Sequence, residues 1–79
     1  MKEQILDRYS NYNFLSADGF DDAIIGVEEQ SMRLIYSVSK CIEILMKFMS
    51  EAEAMDHFSF NVMGSDIGEK MPIWCYDNF

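Results

Sequence analysis

The sequence predicts a small α+β domain: a three-stranded antiparallel sheet with two helices packed on one face, in the order (α)-β-β-α-α-β. Three observations carry this expectation. Two runs rich in β-branched and aromatic residues, Ala23 to Glu28 and Met32 to Val38, are separated only by the polar Glu29, Gln30 and Ser31. Two helix-start signals, each followed by apolar residues at helical spacing, come next. A last apolar run, Pro72 to Tyr76, opens on proline.

In order along the chain, Ile5, Leu6 and Tyr9 fall at helical spacing and predict a short amphipathic helix over Lys2 to Tyr9, ended by Ser10, Asn11 and Asn13. Ser16, Ala17, Asp18 and Gly19 read as a turn, because Asp and Gly tolerate the φ values a reversal needs. The two β-rich runs then form a hairpin. In the second, Leu34, Tyr36 and Val38 share one face while Arg33, Ile35 and Ser37 share the other, which suits a sheet covered on one side.

Ser39 is the expected cap of a helix beginning at Lys40, with Ile42, Leu45, Met46 and Met49 as its stripe and Glu43–Lys47 as an exposed pair. Cys41, Ile44 and Phe48 widen that stripe, so this helix is expected to be the central one. Ser50 followed by Glu53 is a capping-box pattern and starts a second helix, with Met55, Phe58 and Val62 facing inward and Gly64 as its stop. After a loop over 65–70, Pro72 to Tyr76 reads as the third strand, with Pro72 at its start or on an edge.

Seventy-nine residues make one domain, 1–79. With 49% hydrophobic and 14% aromatic residues the chain is too apolar to be an acidic disordered tail. Packing those side chains leaves little room for a deep substrate pocket, so an enzyme is not expected. Fourteen acidic against six basic residues give a net charge of -8, a field that repels phosphate backbones and anionic membranes and suits a basic protein partner. The plainer alternative is that surplus carboxylates keep a Met-rich protein soluble. No apolar run approaches a signal h-region or a membrane span, and two cysteines are too few for a disulfide framework, so a reducing cytoplasm is expected.

The candidate chemistry is sparse. His57 is the only histidine, which excludes a metal or acid-base site needing two imidazoles within one chain; no metal and no cofactor are expected. A Cys-His pair would need Cys41 or Cys75 beside His57, and both cysteines lie in apolar segments that favour inert burial. A twelve-residue loop from Asp18 to Glu29 has the length of a calcium loop, yet Phe20 and Ala23 stand where it requires a ligand and a glycine. Asp21 and Asp22 serve acid-base chemistry only if walled into a cleft; adjacent acids before a strand are more often a solvated turn. Gly64 and Gly68 lack the Lys-Ser or Lys-Thr of a phosphate loop. The aromatics near both ends, from Tyr9 to Phe20 and from Trp74 to Phe79, are interleaved with acids rather than with Lys or Arg, which argues for core packing and against base stacking.

The stretch Asp18-Gly19-Phe20-Asp21-Asp22-Ala23-Ile24-Ile25-Gly26-Val27, then Tyr36 to Met46, Phe58 to Val62 and Pro72-Ile73-Trp74, resembles a family of small uncharacterised accessory proteins of tailed bacteriophages. The similarity covers most of the chain beyond the first dozen residues. It implies a small protein made in the cytoplasm of a bacterial host and brings no active site with it. The expectation is a protein that binds a host protein with a basic surface and inhibits or redirects it. Nucleic-acid-binding defence enzymes such as a CRISPR effector or a nuclease are among the candidates. The expected contact residues are Asp21, Asp22, Glu28, Glu29, Glu51, Glu53 and Asp56. The alternative is a structural or assembly module, a homo-oligomer formed through an exposed strand edge.

Overall fold

The computed structural model describes residues 1–62 and 71–77. Its elements are α1 (Lys2–Arg8), a single 3-10 turn at Asp21–Ala23, β1 (Ile24–Glu28), β2 (Arg33–Ser37), α2 (Val38–Leu45), α3 (Glu51–His57), a widened π turn at Phe58–Val62, and β3 (Ile73–Cys75). This is the expected order of helices and strands. The expected helix stop at Gly64, the 65–70 loop and Phe79 lie outside the described residues.

The hairpin forms as its composition predicts, with Glu28 opposite Arg33 and Val27 opposite Leu34. A register shift between Ile24 and Gly26 inserts Ile25 as an extra residue. Ile24 and Val27 are three residues apart, a spacing that would put them on opposite faces of a regular strand; the bulge restores the phase, so both join the core. The four-residue turn is closed by its own side chains. The Glu28 carboxylate accepts from the Ser31 amide at 2.6 Å and from the Ser31 hydroxyl at 2.7 Å, and Met32 takes a positive φ of 54°. Upstream, the chain reverses over Asp18–Gly19, where Gly19 adopts φ 88° and the Phe20 amide bonds the Ala17 carbonyl.

The third strand corrects one expectation. The strand order is β1-β2-β3, but β3 runs parallel to β2, pairing Ile35 with Ile73, Tyr36 with Trp74 and Ser37 with Cys75. The sheet is therefore mixed. The helical segment after β2 acts as a crossover: it returns the chain to the end of the sheet where β2 starts, and a strand entering there must follow β2 in direction. The strand itself is shorter than the Pro72–Tyr76 run, with Pro72 buried just before it.

Helix boundaries and faces also differ from the periodic reading. Ser37, not Ser39, caps α2: its hydroxyl accepts the Lys40 amide at 3.1 Å, so the helix starts at Val38 directly after the strand. It buries Val38, Cys41 and Leu45 and ends there, leaving Met46 exposed and Phe48 80% exposed. In α3 the capping box is present, with Ser50 and Glu53 bonded reciprocally. Its inward residues are Ala54 and Phe58, while Met55 is 53% exposed. Ala54 is completely buried, so a longer side chain there would meet a filled core. Glu43 and Lys47 are both exposed but form no ion pair among the described residues.

The core joins Ile5 of α1, Phe20, Ala23 and Ile24, Leu34 and Tyr36 of β2, and the inner residues of α2 and α3. An aromatic chain runs through it. Phe20 meets Phe58 edge-on, Phe58 meets Trp74 edge-on at 5.3 Å, and Trp74 lies 5.2 Å from Tyr36. Four separate segments are thereby locked together. Among the described residues no helix is long and apolar enough to cross a membrane.

Candidate functional site

The seven carboxylates expected at a contact surface are dispersed, and several are engaged inside the molecule. Asp21 forms an ion pair with Lys2 at 3.0 Å, tying α1 to the turn before β1. Asp22 borders a hollow shared with Lys40, Glu43 and Lys47, so its field is opposed by two ammonium groups. Glu28 is held below the ordinary carboxylate range, first by the Ser31 amide and then by the Ser31 hydroxyl. Glu29 accepts from the Tyr9 hydroxyl at 3.0 Å. Glu53 is bonded within its capping box. Of the seven, Asp22, Glu51 and Asp56 carry no side-chain bond to a described residue, and all three are exposed. Among those residues, no group of three or more His, Cys, Asp and Glu side chains is placed to hold a metal ion.

Glu51 has a more informative setting than the other two. It sits at the edge of a hollow of about 310 Å³ between α2 and α3. Val38, Ile42 and Met46, one turn apart along α2, form one wall. Met55 of α3 and Phe58, the first residue of the π turn, form the other, and Tyr76 also lines the hollow. Ile42 packs against the core as its place in the stripe predicts, whereas Met46, just past the end of α2, is exposed, so the row Val38, Ile42, Met46 runs from the core outward to solvent. Met46, Met55 and Tyr76 are 43%, 53% and 55% exposed, so the hollow is open to solvent along these residues. Glu43 and Glu51 supply its acidic rim.

Tyr76 is held beside this groove by its neighbour. Asp77 accepts from the Ser37 hydroxyl at 2.6 Å, from the Ser39 hydroxyl at 2.9 Å and from the Ser39 amide at 3.3 Å. The Ser37 hydroxyl, followed by Ser39, keeps the Asp77 carboxyl below its usual range. Asp77 therefore clamps the segment after β3 onto the start of α2, where the helix dipole favours a negative charge.

The nucleophile candidates are separated in character. Cys41 is fully buried, and burial pushes its thiol up to about 12, so it stays protonated at neutral pH. Cys75 is half-buried on β3. His57 is exposed and shares a 3.3 Å hydrogen bond with Asn61 one turn on.

Nothing in the sequence brings Glu43, Met46, Met55, Tyr76 and Asp77 together as one surface. Helical spacing places Met46 and Met55 on inward stripes, whereas the fold leaves both exposed. Seven methionines in 79 residues, several of them flanking the junction of two short helices, were the available signal of an adaptable surface. Compared with protein-family models, with curated proteins and with solved structures, the chain matches none of them.

Proposed function

We propose that this protein acts stoichiometrically, by binding a partner protein with a basic surface and inhibiting or redirecting it, and that the α2–α3 groove is its contact surface. The observation that carries the reading is the combination in one place of exposed thioether and aromatic surface with exposed carboxylates that make no ion pair among the described residues: Met46, Met55 and Tyr76 beside Glu43 and Glu51. Exposed apolar area supplies affinity, and the net charge of -8 steers encounter with a cationic partner. Both helices are taken to cover the same face of the sheet, consistent with the shared burial of Leu34, Tyr36, Cys41 and Phe58. The setting we favour is the cytoplasm of a phage-infected bacterium, where a host nuclease or another nucleic-acid-binding defence enzyme presents a suitable basic surface.

The test is affinity capture from bacterial lysate with the native protein and with a Glu43→Lys/Glu51→Lys variant, followed by assay of the captured protein. A captured nuclease or repressor whose DNA binding falls in proportion to added native protein, and which the variant fails to retain, supports the reading. Equal capture by both proteins removes the groove rim from it.

A second reading, a homo-oligomer, draws on the position of β1 at the edge of the sheet. Light scattering decides it: a mass that stays monomeric as concentration rises sinks this alternative.

A further inference from the structure

We infer that the occupant of the α2–α3 groove is one amphipathic helix of the partner, carrying apolar side chains on one face and Lys or Arg beside them; this deepens the binding reading above and rests on it. Four features of the groove lead there.

The walls are mainly apolar, with Val38, Ile42, Met46, Met55 and Phe58 beside the hydroxyls of Ser39 and Ser59, so the groups that enter must be mainly apolar. Its volume of about 310 Å³ lies at the bottom of the range of small-molecule pockets, roughly 300–1,000 Å³, and it is open rather than enclosed. That suits a few side chains of a larger body better than an engulfed ligand. The walls are also short. Eight residues of α2 extend about 12 Å, two turns, which matches two or three anchors at i, i+3 or i+4, and i+7 on a facing helix.

The backbone chemistry selects a helix over an extended strand. Both main walls are helices whose interior N–H and C=O groups are bonded within themselves, so the groove offers no row of donors and acceptors. An extended peptide laid there would bury its own backbone groups without partners, while a helix brings its own satisfied.

Charge selects the sign of the flanking residues. Glu43 and Glu51, one from each helix, line the groove and make no ion pair among the described residues; Glu43 also borders the hollow that holds Lys40 and Lys47, so Glu51 carries the larger part of the unopposed negative field. A second copy of this chain would bring a net charge of -8 against the same charge, so self-association through this face is opposed at long range. The two methionines at the opening give the surface the adaptability to accept helices of differing sequence.

The test uses the intact protein and a fluorescein-labelled synthetic peptide of about four helical turns, built of Leu and Lys with the leucines on one helical face. A scrambled peptide of the same composition, whose leucines share no face, is the control. Fluorescence anisotropy is expected to show the amphipathic peptide binding about tenfold or more tightly than the scrambled one, a difference of about 1.4 kcal/mol. Met46→Ser/Met55→Ser, which alters only half-exposed side chains, is expected to keep the circular dichroism spectrum and weaken the amphipathic peptide by about fivefold or more. Glu43→Gln/Glu51→Gln is expected to weaken it at low salt and to matter little at high salt.

Equal binding of the two peptides, unaffected by the methionine variant, overturns the inference and leaves the acidic-surface reading standing. Binding of neither peptide overturns both. Dimerisation that is lost in Met46→Ser/Met55→Ser would place a second copy in the groove and overturn the helix assignment.

Discussion

The hydroxyl of Tyr36 accepts the Ala17 amide at 2.9 Å while its ring lies wholly inside the core. Burial is the main reason its phenol is held above the ordinary value. Tyr36→Phe keeps the ring and removes the acceptor, so it is expected to cost about 1 kcal/mol and to lower Tm by roughly 4–8 °C, read by thermal denaturation. The two thiols offer a chemical check on burial. Ellman's reagent is expected to label Cys75 in the native protein and Cys41 only after denaturant is added. Cys41 also sets an alkaline limit. The unfolded chain releases its proton near 9.0 while the folded thiol holds it to about 12, so over that interval the unfolded state binds fewer protons and stability falls as pH rises. Cys41→Ala is expected to flatten this part of the fall, measured as urea midpoints at pH 8 and pH 10.

At the scale of elements, the start of α2 combines two devices: the Ser37 cap and the Asp77 clamp. Ser37→Ala removes both bonds of one hydroxyl and is expected to cost about 1–2 kcal/mol by denaturant titration, the upper part of the range for a cap. Asp77→Asn has a pH signature. Because the folded carboxyl is held below its ordinary value, its contribution is present above the unfolded value, about 4, and is lost as pH falls through the folded value. The variant is therefore expected to be less stable than the native protein at pH 7 and to converge with it in acid, with Tyr76 losing its fixed place at the groove. A difference between the two proteins that persists undiminished at pH 2 would contradict this account. Glu28, bonded to Ser31 across the hairpin turn, shares that sign.

For the whole molecule, the aromatic chain from Phe20 through Phe58 and Trp74 to Tyr36 is the joint between sheet, helices and crossover. Phe58 sits at its centre, 2% exposed. Phe58→Ala is expected to cost about 3–5 kcal/mol, a large share of the 5–15 kcal/mol that holds a typical domain together. The variant should melt broadly at low temperature, with Trp74 fluorescence reporting the loss. Charge acts at the same scale. With -8 on 79 residues, binding of a cationic peptide is expected to weaken as salt rises, while any apolar share of the proposed groove contact is expected to persist, read by fluorescence anisotropy across a salt series.

What depends on neighbours along the chain is legible in the residues alone. They locate the hairpin, from two β-branched runs around a polar turn, the reversal at Gly19, the Ser50–Glu53 capping box and the order of elements, because these follow from local backbone and hydrogen-bonding preferences. The parallel direction of β3 emerges only in the folded chain, since it depends on where the helical crossover delivers the strand. The fold also decides which apolar residues face inward. Met46 and Met55 satisfy a helical stripe as well as Leu45 and Phe58 do, and periodicity cannot tell a face turned to the core from a face turned to a groove. The same limit applies to the carboxylates. Composition counts Glu28 and Glu51 alike, but the fold binds one into a turn and leaves the other at the rim of an apolar hollow, because burial and pairing are properties of residues distant in sequence and adjacent in space.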